Sequence, residues 1–238
     1  MRILIIIPAY NEEASIESVI RRIKEHCPTC DYVVVNDCST DSTATVCKEN
    51  GFNHITLPLN LGIGGAVQCG YMYAKENDYD IAVQIDGDGQ HDPAFVEALL
   101  APLAAGEADL AIGSRFVEKQ GFQSSFMRRF GIRLIKQVIK LCCGVSVLDT
   151  TSGFRAANRQ LIKLYASEYA HDYPEPEAIV AAVLGGFRVR EVPVSMSERQ
   201  GGVSSINLLR AVYYMVKVPL ALFIYKLDAG RAKTAKEV

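Results

Sequence analysis

Residues 81–90 read Ile-Ala-Val-Gln-Ile-Asp-Gly-Asp-Gly-Gln. The first five form a mostly apolar run of strand length without polar alternation, which is typical of a strand buried on both faces. Two carboxylates, Asp86 and Asp88, leave the end of that run two residues apart, and the small glycines beside them let the backbone come close to a ligand. The stretch therefore predicts a buried strand that ends in a polar binding site.

The same strand pattern recurs through the first 113 residues and alternates with helical periodicity. Further strands are predicted at residues 3–7, 33–35, 54–57 and 110–112, and helices between them at residues 12–26, 41–50, 64–75 and 93–104. Strands that alternate with helices predict an α/β fold with a parallel sheet. Ligands of such sheets bind beyond the carboxyl ends of the strands.

Polar residues follow each of these predicted strands. They are Asn11, Asn36 and Asp37, Asn60, Asp86 and Asp88, and Ser114 and Arg115. Because parallel strands end at the same edge of a sheet, we expect these side chains to share one site.

The second half of the chain is less regular. A helix is predicted at residues 126–141, with basic residues at 129, 133, 136 and 140 along one face. A loop is predicted at 144–155, helices at 159–167 and 177–184, an alternating strand at 188–195, and a long apolar helix at 206–227. We interpret the chain as one domain over residues 1–205 with a C-terminal extension over 206–238.

The charge of the chain is unevenly distributed. The 238 residues carry 25 basic and 27 acidic side chains, a net charge of −2. Residues 1–110 hold 6 basic and 17 acidic side chains (net −11), whereas residues 111–238 have a net charge of +9. This asymmetry between the two halves indicates that one side of the protein binds a charged partner. A pI near 6.1 argues against general nucleic-acid binding. Seven cysteines without a secretory signal favour a reduced, cytoplasmic compartment.

The Asp-Gly-Asp-Gly-Gln segment at residues 86–90 is compatible with a divalent metal site. Hard cations prefer oxygen ligands, and Mg²⁺ typically takes one or two carboxylates and completes its shell with substrate phosphates. We assign Asp86, Asp88 and Gln90 as candidate ligands of Mg²⁺ or Mn²⁺. The alternative is a plain turn, because Asp and Gly also favour ordinary turns.

Seven segments in order resemble the family 2 inverting glycosyltransferases, in the dolichyl-phosphate mannose synthase-like branch that glycosylates polyprenyl phosphates. They lie at residues 7–13, 35–41, 60–66, 86–88, 113–116, 149–155 and 199–205. The resemblance implies a sheet of the GT-A type, with a nucleotide-sugar-binding part at 1–113 and an acceptor part at 114–205. It also implies a UDP-, GDP- or dTDP-sugar donor and a polyprenyl phosphate acceptor.

The resemblance also implies roles for individual residues. Donor binding is assigned to Pro8, Tyr10, Glu12, Asp37, Gly64, Asp86 and Arg199, with Asp37 reading the nucleobase and Arg199 clamping the diphosphate. Catalytic roles are assigned to Asp88, Arg115, Asp149 and Arg155.

The nature of the acceptor decides whether the reaction needs a base. A lipid phosphate is already anionic at pH 7, so it needs only positive groups to position it; the candidates are Arg115, Arg128, Arg129 and Arg155. A sugar hydroxyl, as in cell-surface polysaccharide synthesis, would need a general base. The candidates for that base are Asp149, Asp172, Glu175 and Glu177.

Two segments are candidates for contact with an anionic membrane surface. The basic stripe on the helix at 126–141 is compatible either with an interfacial helix or with a helix packed on the sheet. Residues 211–225, interrupted by Lys217 and Pro219, are too short to span a bilayer. We expect the chain to associate peripherally with the cytoplasmic face of a membrane. Whether it forms a homo-oligomer or binds a separate membrane-anchor protein is left open by the sequence.

Other interpretations were weighed against this one. A sugar-phosphate nucleotidyltransferase should carry a glycine-rich basic loop after its first strand, where this chain has Ala9-Tyr10-Asn11-Glu12. A non-catalytic nucleotide-sugar sensor would bind the donor without turnover.

Cys27 and Cys30 have C-x-x-C spacing, but they follow a helix rather than begin one, which favours a structural role. For His91, beside Gln90, we expect a supporting or surface role.

Overall fold

The computed structural model describes residues 1–118, 126–171, 173–197 and 208–234. Its sheet has the order β3-β2-β1-β4-β6-β5-β7. The strands are β1 (Ile3–Ala9), β2 (Asp31–Asn36), β3 (His54–Thr56), β4 (Ile81–Gln84), β5 (Leu110–Ser114), β6 (Arg155–Asn158) and β7 (Val189–Pro193). The five strands predicted in the first half of the chain and the strand predicted near residue 190 are all confirmed.

Strand β6 departs from the predicted parallel sheet. It runs antiparallel to both of its neighbours, β4 and β5, whereas the other pairs are parallel. The parallel sheet predicted for the first 113 residues is confirmed in the pairs among β1, β2, β3 and β4. The sequence does not predict β6: the predicted loop at 144–155 ends at Arg155, the first residue of this strand. The sequence Arg-Ala-Ala-Asn has no β-branched or aromatic residue to signal a strand. It is a strand because neighbours on both sides pair with it and bury Ala156 and Ala157.

Eight helices are described around the sheet. They are α1 (Ile16–His26), α2 (Thr43–Glu49), α3 (Gly62–Glu76), α4 (Val96–Ala104), α5 (Phe126–Cys143), α6 (Arg159–Ser167), α7 (Pro174–Leu184) and α8 (Leu208–Thr234). Helix α1 begins later than predicted, because Asn11 has a left-handed φ of 58° and the chain then turns before Ile16. Asp92 caps the short 3₁₀ turn before α4 by accepting the Ala94 N–H.

The helices cover both faces of the sheet. On β1, Leu4 and Ile6 face a core formed with α3, α5, α6, α7 and α8, while Ile5 and Ile7 face a core formed with α1, α2 and α4. Successive strand residues point to opposite faces, so a strand covered on both sides must be apolar throughout. This explains why the run at 3–7 lacks polar alternation.

Helix α8 packs against α5 and α7 through one face, where Val218 and Leu222 are buried. Other apolar side chains of α8 are exposed; they are Tyr213, Val216, Leu220, Phe223, Ile224 and Leu227. Among the described residues, we find no helix with the length and hydropathy needed to cross a membrane.

Candidate active site

The carboxyl ends of the parallel strands meet as the sequence predicts. The loop after β2 is joined to β1 by the Asp37 N–H, which donates to Ala9 O at 2.9 Å, and the loop after β4 by the Gly87 N–H, which donates to Pro8 O at 3.2 Å. A Cβ added at Gly87 would lie 3.2 Å from Pro8 O, so this close approach favours glycine. Residues from three strands are thus brought to one edge.

Asp37 is buried at this edge, with 3% of its surface exposed. Its Oδ1 accepts the Leu61 N–H at 2.7 Å, and its backbone oxygen accepts from Asn60 Nδ2 at 3.1 Å. Burial raises the pKa of Asp37 above the usual carboxyl value, while the amide groups of Leu61 and Gly62 oppose the shift. The segment before α3 therefore holds this carboxyl group in place.

The loop after β1 is fastened on both sides. Asn11 Oδ1 accepts the Thr40 N–H at 2.8 Å, which ties the loop to the segment after β2. Ser15 Oγ donates to Gly87 O at 2.8 Å and lies 3.0 Å from Glu12 Oε2, which ties the loop after β1 to the Asp-Gly-Asp loop. Glu12 is buried, as is Pro8, whereas Tyr10 is half exposed at the edge.

Asp86 is oriented by two groups from its own segment. Gln84 Nε2 donates to Asp86 Oδ1 at 3.0 Å, and the Asp86 N–H donates to His91 Nδ1 at 3.0 Å. The His91 ring is buried and stacks on Phe154 at 5.0 Å between centroids. His91 thus has a supporting position and is not on the surface. Gln84 was missed by the sequence analysis, because a polar residue within an apolar strand gives no signal of its own.

Gly153 lies directly against this carboxylate. A Cβ built there would be 2.8 Å from Gln84 Nε2 and 3.2 Å from Asp86 Oδ2. The loop before β6 therefore covers Asp86, an arrangement that depends on β6 lying beside β4 in the sheet.

Asp88 and Gln90 complete the predicted metal-binding segment. Asp88 is buried and its Oδ1 accepts the Gln90 N–H at 3.0 Å, while Gln90 Nε2 reaches Ser197 O at 3.5 Å. In the part of the chain that the structure describes, no three His, Cys, Asp or Glu side chains gather as a metal-binding group. Two carboxylates with oxygen donors nearby still fit a cation whose shell is completed by substrate phosphates.

Arg115 and Asp149 form a buried ion pair. Arg115 Nε and one terminal nitrogen donate to the two oxygens of Asp149 at 2.7 and 2.8 Å. The Asp149 side chain is 0% exposed. Both carboxylate oxygens of Asp149 therefore accept hydrogen bonds from Arg115, and Asp149 is placed to hold the Arg115 side chain.

Glu191 of β7 fixes the loop that carries Asp149. Its two carboxylate oxygens accept the N–H groups of Leu148 and Asp149 at 2.7 and 2.9 Å. No local sequence pattern marks Glu191, because its partners lie more than 40 residues away along the chain.

Arg155 is completely buried behind the site, at 0% exposure. It donates to the backbone oxygens of Ser152 at 2.6 Å and Glu175 at 3.3 Å. Three tyrosine rings, Tyr71, Tyr165 and Tyr169, pack against one another at 5.1–5.5 Å, and their hydroxyls together with Glu175 raise the pKa of Arg155 despite its burial. Arg155 thus joins the loop before β6 to the start of α7.

The other predicted residues are placed as follows. Gly64 lies near the start of α3, where its N–H donates to His171 O at 3.2 Å, and an added Cβ would overlap the backbone oxygen of Ala170. Arg199 and Asp172 fall outside the described residues, and the side chains of Arg128 and Arg129 are likewise not described. The structure thus links segment 8–12 to Asp37 and to segment 86–90, places Gly153 against Asp86, and pairs Arg115 with Asp149.

Comparison with known proteins gives these positions a context. Residues 4–165 match the family model for glycosyl transferase family 2. A polyprenol monophosphomannose synthase of Mycolicibacterium smegmatis is 31% identical, with 87% of this chain and 81% of the relative covered. An undecaprenyl-phosphate mannosyltransferase of Micrococcus luteus is also 31% identical, with 87% and 88% covered.

Solved structures show the same fold. The glucosyl-3-phosphoglycerate synthase of Mycobacterium tuberculosis, in complex with Mn²⁺, UDP-glucose and phosphoglyceric acid, superposes with a TM-score of 0.71. The identity is 23%, and 92% of this chain and 79% of that chain are covered. The predicted GT-A type of α/β sheet is confirmed by this likeness.

Proposed function

Because the chain belongs to glycosyl transferase family 2 and is a glycosyltransferase, we propose that it transfers a sugar from a nucleotide diphosphate donor to a polyprenyl phosphate. The observation that carries the choice of acceptor is the pair Arg115 and Asp149. The candidate base Asp149 is buried with both oxygens bonded to Arg115. Such a pair supplies a fixed cation, which suits an acceptor that is already anionic. The names of the two mannosyl-transferring relatives support the same choice.

The donor is proposed to lie along the edge formed by the loops after β1, β2 and β4. Asp37, whose carboxylate is held by the Leu61 amide, is proposed to accept an N–H of the nucleobase. Tyr10, half exposed beside it, offers an aromatic face. Arg199 is proposed to contact the diphosphate from the segment after β7.

Asp86, Asp88 and Gln90 are proposed to hold Mg²⁺ or Mn²⁺ at this edge. When bound there, the cation would neutralise the charge that develops on the departing diphosphate. Gln84 and His91 keep Asp86 facing the edge, and the Asp88 carboxylate is fixed by the Gln90 amide. The chain thus orients the oxygen donors before a ligand arrives, which reduces the reorganisation required on binding.

Arg115 is proposed to position the acceptor phosphate for attack on the anomeric carbon, on the face opposite the leaving diphosphate, which inverts that centre. Asp149 acts by orienting Arg115. Arg155 has no exposed surface, so we propose that it positions the loop at 152–153 and does not touch the acceptor.

Membrane contact is proposed for the exposed faces of α5 and α8. The exposed apolar residues of α8 recur at helical spacing from Tyr213 to Leu227, and Arg133 and Lys140 are exposed on α5. Lys226 Nζ of α8 donates to Leu141 O near the end of α5 at 3.1 Å, so the two helices are in contact there. An apolar stripe beside basic residues suits the cytoplasmic surface of an anionic membrane, where each basic residue contributes about 1 kcal/mol.

A vesicle experiment tests this surface. The chain is expected to float with vesicles that contain anionic phospholipid, and the variant Leu220→Glu with Phe223→Glu is expected to stay in the dense fraction. Met72→Glu, at an exposed apolar position on α3, is the matched control and should float like the parent chain. Equal flotation of all three proteins would contradict the assignment.

One assay tests the reaction. The purified chain is incubated with Mg²⁺ or Mn²⁺, labelled UDP-, GDP- or dTDP-sugars, and polyprenyl phosphate. Label extracted into organic solvent is expected for one donor. Label that appears only in water-soluble glycan, across all donors, would instead establish a saccharide hydroxyl as the acceptor. Donor binding without turnover would indicate a sensor. In a separate incubation with a sugar phosphate and a nucleoside triphosphate, release of pyrophosphate would indicate a nucleotidyltransferase.

A further inference from the structure

The end of α1 carries two thiols for which the transfer reaction has no use. Cys27 follows the last residue of α1, and the Cys30 N–H donates to Cys27 O at 3.0 Å, which closes a tight turn. The Cα atoms at the ends of such a turn lie within about 7 Å, and disulfides span about 4.4–6.8 Å between Cα atoms. Both cysteines are free, and the Cys27 thiol donates to Pro93 O at 3.6 Å. The turn therefore keeps the two residues within the range of Cα separations that a disulfide can span.

The two thiols differ in accessibility. Cys27 is buried beneath α1, whereas Cys30 is half-buried. Both border a surface cavity of about 500 Å³, whose wall includes Lys24, Tyr32 and Tyr73. Because β2 begins at Asp31, this cavity lies at the amino end of the strand, opposite the candidate active site. A small oxidant can thus reach Cys30 without entering the donor edge.

The interaction between the two thiols also separates their acidities. It lowers the pKa of Cys30 and raises that of Cys27, which burial raises further. The thiolate is the form that reacts with oxidants. Cys30 is accordingly the thiol to react first, and Cys27 is the partner that resolves it.

We propose that Cys27 and Cys30 form a reversible disulfide and are the first site of thiol oxidation by peroxides in the described part of the chain. The Cys30 thiolate attacks a peroxide oxygen, the O–O bond breaks, and Cys30 becomes a sulfenic acid as one water forms. The Cys27 sulfur then attacks the Cys30 sulfur, so that the S–S bond forms and the sulfenic oxygen leaves as a second water with the Cys27 proton. Two thiols lose two electrons in total, and one hydrogen peroxide is reduced to two waters.

The other cysteines lack this arrangement. Burial raises the pKa of Cys47 and Cys69, and that of Cys143 to about 11. Cys142 is buried. Cys38 is half-buried like Cys30, and its Sγ–H donates to Pro58 O at 3.9 Å, but the next cysteine along the chain, Cys47, is nine residues away. Cys38 is therefore the matched control.

Peptide mass spectrometry tests the proposal. The reduced chain is titrated with hydrogen peroxide, alkylated, and digested with trypsin and a protease that cuts before aspartate, which separates residues 25–30 from Cys38. The peptide 25–30 is expected to lose two hydrogens before other cysteines react, and dithiothreitol should restore both thiols. In Cys30→Ser, Cys27 should remain alkylatable, whereas Cys38→Ser should leave the cross-link intact.

A second variant keeps the test decisive if one substitution disturbs folding. In Cys27→Ser, the Cys30 sulfenic acid has no resolving thiol, so it should accumulate and be trapped by dimedone. Oxidation of Cys38 before the 25–30 peptide would overturn the proposal. Progression of Cys30 to a sulfinic acid while Cys27 stays reduced would overturn it as well.

Discussion

His91 Nδ1 accepts the backbone N–H of Asp86 at 3.0 Å, so the histidine closes the loop that carries the proposed metal ligands. The loop is anchored a second time, because the His91 ring stacks on Phe154 within 13° of parallel. Phe154 in turn precedes β6, the strand that lies beside β4. The stack therefore couples the orientation of Asp86 to the loop before β6.

Substitution of His91 separates these two contacts. His91→Phe keeps an aromatic ring but leaves the partly buried Asp86 N–H without its acceptor, at a cost of up to about 1–3 kcal/mol. If about 1.4 kcal/mol of this lost free energy weakens the binding of the cation, the metal concentration for half-maximal activity rises about tenfold. His91→Asn retains an acceptor near the Nδ1 position and should preserve more of the metal affinity. A metal titration of activity compares them, and equal affinity in both variants would rule out this role for Nδ1.

Gly153→Ala tests the contact that covers Asp86. The added Cβ would lie 2.8 Å from Gln84 Nε2 and 3.2 Å from Asp86 Oδ2, so Gln84 or Asp86 must shift. We expect kcat/KM for the donor to fall by about tenfold or more, since misplacement by about 1 Å can cost about 100-fold. Gly131→Ala on α5 is the control: its nearest neighbour is Met215 Cγ at 3.9 Å, and alanine favours a helix. Unchanged kcat/KM in Gly153→Ala would mean that Asp86 has room to move.

Local sequence patterns predicted most of the sheet and the position of its site. Continuous apolar runs identify strands such as β1 because both faces are buried, and the residues that follow them, such as Asp37, mark the carboxyl edge. The contacts of Gly153 with Asp86 and of Glu191 with the Asp149 loop were not predictable in this way. They depend on which strands are neighbours, and the antiparallel insertion of β6 reverses the expected direction without a local signal.

Asp149→Asn is expected to reduce both stability and activity. The substitution leaves the buried Arg115 charge without its counter-ion, which costs about 3–5 kcal/mol. The double variant Arg115→Met with Asp149→Asn removes both charges. The introduced asparagine side chain can still accept the backbone N–H of residue 115, so part of the stability should return. Activity should stay lost, because the cation for the acceptor is gone. Urea unfolding and the lipid-extraction assay measure the two effects, and a fully active double variant would refute the role of Arg115.

Asp88→Asn should abolish turnover with little change in thermal stability measured without metal. Asn can still accept the Gln90 N–H, now made by Asp88 Oδ1 at 3.0 Å, but it lacks the charge that a divalent cation requires. The matched control is Asp92→Asn, because asparagine caps a helical turn as well as aspartate does. Its turnover should be close to that of the parent chain. A large loss of thermal stability in Asp88→Asn would point to a structural turn instead of a metal site.

The ion pair of Asp109 and Arg188 should make stability depend on pH in the acid range. Hydrogen bonds from Arg188, its side chain first, lower the pKa of Asp109. A lowered pKa means that the contribution is complete above the ordinary Asp value of about 3.9 and is lost as the pH falls through the lowered value. The Tm of the parent chain should therefore exceed that of Asp109→Asn at pH 7, and the gap should close as the pH falls toward about 2. Asp78→Asn removes an exposed ion pair with Arg159, so its Tm should differ little from that of the parent chain over the whole pH range. A gap for Asp109→Asn that is as large at pH 2 as at pH 7 would contradict the assignment.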